Sequence, residues 1–311
     1  MYLKEIYDLA VNFGIKADLR GEEKVRKHLA KLAIDYSKMS ERERQDFDGE
    51  KLTNPYADSR ILYDNGREAK KILAGIDIDP QEIILAKQLG YDTVIAHHPE
   101  GVALADLGEV MHLQAEVLAQ YGVPINIAQA ITKERISEVA RGVSPANHQR
   151  TVDAARLLDI NLVCLHTPCD NLAAKFLDDY LKGKDLETVS ELLEALKEIP
   201  EYREAAKQKA GPKIFAGDRD NYCGRIALTE ITGGTSNSKD IYEKMSQAGI
   251  GTIVGMHMGE EHKKEAAKNY VNVVIAGHMS SDSLGVNLLL DEIEKRGVEI
   301  APFSGLIRIK R

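Results

Sequence analysis

The stretch KILAGIDIDPQEIILAKQLGYDTVIA (71–96) restricts this chain more than any other, because it sets two apolar runs on either side of a capped helix. KILAGIDI (71–78) reads as a buried strand. In DPQEIILAKQLG (79–90), Asp79 suits the N-cap, Pro80 the first helical position and Gly90 the stop. DTVIA (92–96) reads as a second buried strand. A strand–helix–strand unit returns the chain parallel to itself, and parallel sheets are covered on both faces. The fold class is therefore α/β, and 311 residues suffice for two domains.

The same punctuation recurs. TVIAHH (93–98), NLVCLH (161–166), GTIVGMH (251–257) and NVVIAGH (272–278) are four apolar runs that each stop on histidine, in a chain with nine histidines. In open parallel sheets ligands sit beyond the carboxyl ends of the strands, so side chains just past several strand ends can converge. Two of the endings share a finer pattern. HTPCD places His166 and Asp170 at i and i+4, and HMSSD places His278 and Asp282 likewise. If each stretch opens a helix, its His and Asp share one face. Imidazole and carboxylate together suit zinc, iron, manganese or cobalt.

The adjacent pair His97 and His98 has its own meaning. Past a strand end two neighbouring rings can splay to either side of a gap, and two ions about 3.5–4 Å apart can take one ring each, with a carboxylate bridging them. The inventory His97, His98, Asp170, His278 and Asp282 fits such a pair and leaves positions open for water.

Composition removes other classes. A net charge of −8 argues against a broad nucleic-acid footprint. Three cysteines without a C-x-x-C pair read as reduced thiols of a cytoplasmic protein. The N-terminus lacks a signal-peptide core, and no apolar run approaches a membrane span.

These residues resemble a dinuclear-metal family, GTP cyclohydrolase 1 type 2, also called NGG-interacting-factor-like. Its signatures are a strand ending in His-His-Pro, a His-Thr-x-x-Asp motif and a late Gly-His-x-x-Ser-Glu motif. Here they stand as HHP (97–99), HTPCD (166–170) and GHMSSD (277–282). YADSRILYDNG (56–66) is similar to an early family segment ending in Trp-Asp-Asn-Val-Gly, with Tyr63 in place of Trp. RIALTEITGGTSNS (225–238) is similar to its second-domain strand and glycine-rich loop.

The resemblance implies two divalent transition-metal ions per subunit (zinc, iron or manganese), held by His97, His98, Asp170, His278 and Asp282, with His166 behind them. It implies a metal-binding α/β domain from residues 1–184 and 269–311, and an inserted second α/β domain at 185–268. It also implies a homohexamer with its sites facing an internal cavity. Two departures stand out. Asp282 replaces the family's Glu, and the segment 107–150 is longer than the usual connection. That segment reads as two amphipathic helices at 107–140, a lid or an oligomer contact, whose His112 and Glu116 belong to the helix surface. The helical segment 1–47 has no clear family counterpart.

His257 and His262 lie near a second-domain strand end and are candidates for proton transfer. GGTSNS (233–238) reads as a tight turn or an anion cradle, and 185–211 as a solvated helical cover. The functional expectation is a metal-dependent hydrolase acting on a nucleotide or other phosphorylated small molecule. The alternative is a non-catalytic metal-binding regulatory or scaffold protein.

Overall fold

A computed structural model describes residues 1–311. Two mostly parallel sheets carry the architecture. The first contains β1 (Ser59–Tyr63), β2 (Lys71–Gly75), β3 (Thr93–Ala96), β4 (Asn161–Leu165) and β9 (Glu299–Phe303), in the order β1-β4-β3-β2-β9. Only β1 runs antiparallel, along β4. The second contains β5 (Lys213–Ala216), β6 (Arg225–Glu230), β7 (Ile250–Gly255) and β8 (Asn272–Ile275), in the order β5-β8-β7-β6, with β5 antiparallel to β8.

Fifteen helices cover these sheets. Helices α1 (Leu3–Ala17), α2 (Glu22–Lys38) and α3 (Glu41–Asp46) precede β1, and α4 (Pro80–Leu89) joins β2 to β3. Between β3 and β4 lie α5 (Gly101–Ala105), α6 (Leu107–Val110), α7 (His112–Gln120), α8 (Ile125–Val143) and α9 (Arg150–Leu158). Next come α10 (Thr167–Lys182), α11 (Val189–Glu198) and α12 (Pro200–Lys207). The second sheet adds α13 (Ile241–Gln247) and α14 (Glu260–Lys268), and α15 (His278–Glu294) leads to β9.

Local chemistry sets these elements. The Glu82 carboxylate accepts from the Asp79 backbone N–H at 2.8 Å, Pro80 opens α4, and Gly90 closes it at φ 77°. In the first sheet alternate residues serve opposite faces. Ile72, Ala74, Ile95, Val163 and Leu165 pack with α1 and α15, whereas Leu73, Val94, Leu162 and Cys164 pack with α4 and α9. Burial on both faces explains why these strands are continuously apolar and not alternating.

The N-terminal helix α1 is part of the core, since Leu3, Ile6, Ala10 and Ile15 are buried against the first sheet. The 107–140 segment contains α6, α7 and most of α8, and the Gln114 amide of α7 donates to the carbonyls of Gly233 (2.8 Å) and Thr235 (2.6 Å), tying the first layer to the second. The 185–211 cover is not merely solvated, because Val189, Leu192 and Leu196 are fully buried, each contributing about 1.5–3 kcal/mol. Finally, β8 pairs with β7 and β5, so the chain leaves the second sheet after Ile275 and not at 269. A buried strand between two helices is equally compatible with either sheet until its pairing is known.

Candidate metal centre

The four histidine-ended runs form β3 and β4 of one sheet and β7 and β8 of the other, and their C-terminal ends face one cleft. After β3 the backbone continues the ladder, with His97 N–H donating to Gly75 (2.9 Å) and His98 N–H to Ile76 (3.0 Å). His97 is fully buried, and its Nδ1 lies 3.2 Å from the Leu165 carbonyl. His98 is partly exposed, with Nδ1 2.7 Å from Asp77 Oδ1. After β4 the chain turns into α10, and Pro168 in its first turn favours that turn. Gly277, at φ 115°, lets α15 start directly at His278. Both i, i+4 pairs therefore sit at helix starts, as their spacing predicts.

Five predicted residues come together. His97 Nε2 lies 3.3 Å from Asp170 Oδ1 and 3.5 Å from Asp282 Oδ1. Asp282 Oδ2 lies 3.4 Å from His98 Nε2 and 3.6 Å from His278 Nε2. The donors thus fall into a buried set, His97–Asp170–Asp282, and a more open set, His98–His278–Asp282, which share Asp282. His166 joins His97 and His98 in a third set.

These residues fit a metal. Donors bound at 2.0–2.1 Å in a tetrahedron stand about 3.4 Å apart, close to the observed separations. Six buried side-chain polar atoms in the chain lack a hydrogen-bond partner, and three of them, His97 Nε2, Asp170 Oδ1 and Asp282 Oδ2, meet here. Leaving such atoms unsatisfied costs about 1–3 kcal/mol each, which a cation would offset. The buried His and Asp groups can therefore hold metal ions.

The electrostatics agree. Burial alone would raise the Asp282 pKa, but the charge of His97, with the His98 and His278 rings beside it, holds it far below the carboxylate range. Burial alone would lower His97, but Asp282 and Asp170 outweigh it and its pKa is raised. Burial lowers His278, with His98 adding to the effect and Asp282 opposing it.

The roof of the cleft comes from the second sheet. Glu230 at the end of β6, Ser236 and His257 face His166, Asp170 and His278 across a cavity of about 20 Å³, room for about one water. His257 is exposed at the cleft mouth, its Nδ1 3.0 Å from Ser236 Oγ and its ring 4.9 Å from that of His278. The protein atoms crowding one side of its ring and the nearby His278 lower its pKa from the usual imidazole value. His262 does not reach the cleft, since its Nε2 is engaged by the Asn237 carbonyl at 2.9 Å. Glu230 was not singled out by the sequence, where it is one acid among 49 acidic residues. A wider groove of about 540 Å³, between Leu19, Tyr121, Lys182 and Arg225, gathers no comparable donors.

No family model matches the chain, and no curated protein is significantly similar to it. Among solved structures, a NIF3 superfamily protein from Sphaerobacter thermophilus shares 27% identity, with a TM-score of 0.73 over 90% of this chain and 98% of that one. The fold is that of the NIF3 superfamily. HcgD from Methanocaldococcus jannaschii is more distant, at 14% identity and a TM-score of 0.48, covering 78% of this chain and 87% of its own. A Bacillus cereus protein related to NIF3 stands at 13% and 0.41, covering 79% and 89%. The NIF3 likeness bears out the family resemblance carried by HHP, HTPCD and GHMSSD. No helix of this NIF3-like chain is long and apolar enough to cross a membrane.

Proposed function

We propose that this chain binds two divalent transition-metal ions through His97, His98, Asp170, His278 and Asp282, and that it is a hydrolase of small phosphorylated molecules, nucleotides included. The observation that carries this reading is Asp282, whose two oxygens face different histidine sets. When bound, such ions supply Lewis-acid polarisation of a substrate oxygen and lower the pKa of water.

The chain's own residues supply the rest. Buried His97, Asp170 and Asp282 exclude bulk water from one side of the cleft, while His98 and His278 keep the other side open. With Nδ1 engaged by Ser236, His257 has Nε2 left to exchange a proton with a bound molecule. Its low pKa keeps it neutral at pH 7, so it acts there as an acceptor or a neutral donor. Self-assembly, as a hexamer by family resemblance, and a reducing cytoplasmic location that suits three buried free cysteines belong to the same proposal.

A second reading, a regulatory or scaffold metal protein, is favoured by the cavity of about 20 Å³, which admits little more than a water. Elemental analysis of protein prepared with zinc, iron or manganese tests the shared premise, with about two ions per chain expected and a value near zero sinking both readings. A hydrolysis screen of nucleotides and sugar phosphates with the loaded protein separates them. Turnover favours the enzyme, and full metal content without turnover favours the scaffold.

A further inference from the structure

The cluster contains a third imidazole that the five-residue ligand set leaves out. His97, His98 and His166 share one arrangement. Each places Nδ1 on an acceptor behind the ring, the Leu165 carbonyl at 3.2 Å, Asp77 Oδ1 at 2.7 Å and Asp58 Oδ2 at 2.8 Å respectively. An acceptor there puts the ring proton on Nδ1 and frees the Nε2 lone pair, which is how metal-binding histidines are oriented and made more basic. The three rings form a triangle, with centroids 5.4, 4.9 and 5.8 Å apart, and one donor nitrogen from each lies within 4.8 Å of the others. His166 Nε2 is also 3.7 Å from Asp170 Oδ2, while the other oxygen of that carboxylate is 3.3 Å from His97 Nε2.

Asp58 is fully buried and has no Lys or Arg beside it. Its contacts are the His166 ring, the Thr167 hydroxyl, which donates at 2.6 Å, and the Ser59 hydroxyl at 3.3 Å. Ser59 Oγ in turn accepts from the His166 backbone N–H at 2.9 Å. A buried carboxylate is costly unless hydrogen-bonded, and these bonds fix both the backbone and the ring of one histidine. Such a bracket is more than packing at this position requires.

We propose that His166 is a metal ligand and Asp58 its positioning residue, so that an ion held by His97 and Asp170 takes nitrogen from two rings. This rests on the dinuclear reading above. Two imidazoles with carboxylates favour zinc, ferrous iron or cobalt over magnesium and calcium, which take oxygen-only sets.

The test uses the full-length protein with zinc and cobalt(II) as probes. Zinc affinity is measured by chelator competition, cobalt(II) ligation by visible absorption, and the fold by melting of the metal-free protein. His166→Ala should weaken one zinc per chain and change the cobalt spectrum. Asp58→Asn, nearly isosteric, should lower zinc affinity about 10- to 100-fold, beyond any change in the melting of the metal-free protein. If His166→Ala fails to fold, Asp58→Asn decides. Wild-type zinc affinity and an unchanged cobalt spectrum in Asp58→Asn would overturn the inference, and the dinuclear reading would still stand if Asp282→Ala loses metal. If the wild-type chain binds neither probe, both fall together.

Discussion

The carbonyl oxygen of Cys169 in α10 occupies the space that a Cβ on Gly285 of α15 would need, so these two helices meet backbone to backbone. The contact governs the site. Asp170 is the next residue after Cys169, and Asp282 lies about one turn before Gly285, so the same approach that excludes a side chain brings the two carboxylates to one point.

Gly285→Ala is therefore expected to destabilise the chain by about 1–3 kcal/mol or more. Alanine is the better helix former by about 1 kcal/mol, which would predict the opposite sign at an open position. The obstructing atom is backbone, and no rotamer change relieves it. Thermal unfolding and zinc affinity should both fall. A variant as stable as wild type would show that α10 and α15 can separate without loss.

The shared position of Asp282 predicts an order of metal loss. Asp282→Ala should lose more metal than His97→Ala or His98→Ala, because each histidine belongs to one side of the carboxylate and Asp282 to both. Asp282→Glu restores the family's residue but adds a methylene at a site 1% exposed, so it should retain more metal than Asp282→Ala at some cost in stability. Metal content and melting temperature, read together, separate a lost ligand from a lost fold. Full occupancy in Asp282→Ala would leave Asp282 as a helix-start acid and nothing more.

Glu201 of α12 is fully buried and held bidentately by Arg311 at 2.6 and 2.7 Å, with Asn287 of α15 donating at 2.9 Å. Arg311→Ala leaves that carboxylate with one neutral donor. A loss of about 2–3 kcal/mol is expected, below the usual buried-pair value because Arg311 is partly exposed. Glu201→Gln should recover part of it in the Arg311→Ala background. Urea denaturation of the two single variants and the double variant checks the coupling.

The local half of this molecule was legible in its residues. The cap and stop of α4, the apolar strands and the two i, i+4 His–Asp pairs depend on neighbours within a turn or a strand. What escaped depends on pairing across the chain. Asp58 braces His166 from 108 residues away and Asp77 braces His98 from 21, so neither acid carries a local signature. The assignment of β8 to the second sheet, and the burial of α1 against the first, follow from which apolar faces meet. His262 failed as a cleft residue because its ring is occupied by a loop carbonyl, a contact that no spacing reveals.

Glu230 predicts a pH dependence opposite to that of most acids. Its Oε1 is buried without a partner in the roof of the cleft, and burial outweighs the Asn237 and Ser236 hydrogen bonds to push its pKa up to about 7 from 4.5. The folded state therefore keeps a proton that the unfolded state has released between those values. Stability from this group is fully present below pH 4.5 and declines as pH rises through about 7, at about 1.4 kcal/mol per unit within the window. Glu230→Gln cannot ionise, so it should gain on wild type across that interval and hold a constant difference above it. The check is chemical denaturation of metal-free wild type and Glu230→Gln at pH 4.5, 5.5, 6.5 and 7.5, with the difference between them plotted against pH. A flat difference would mean that Glu230 ionises freely in the folded chain, with the roof of the cleft open to water.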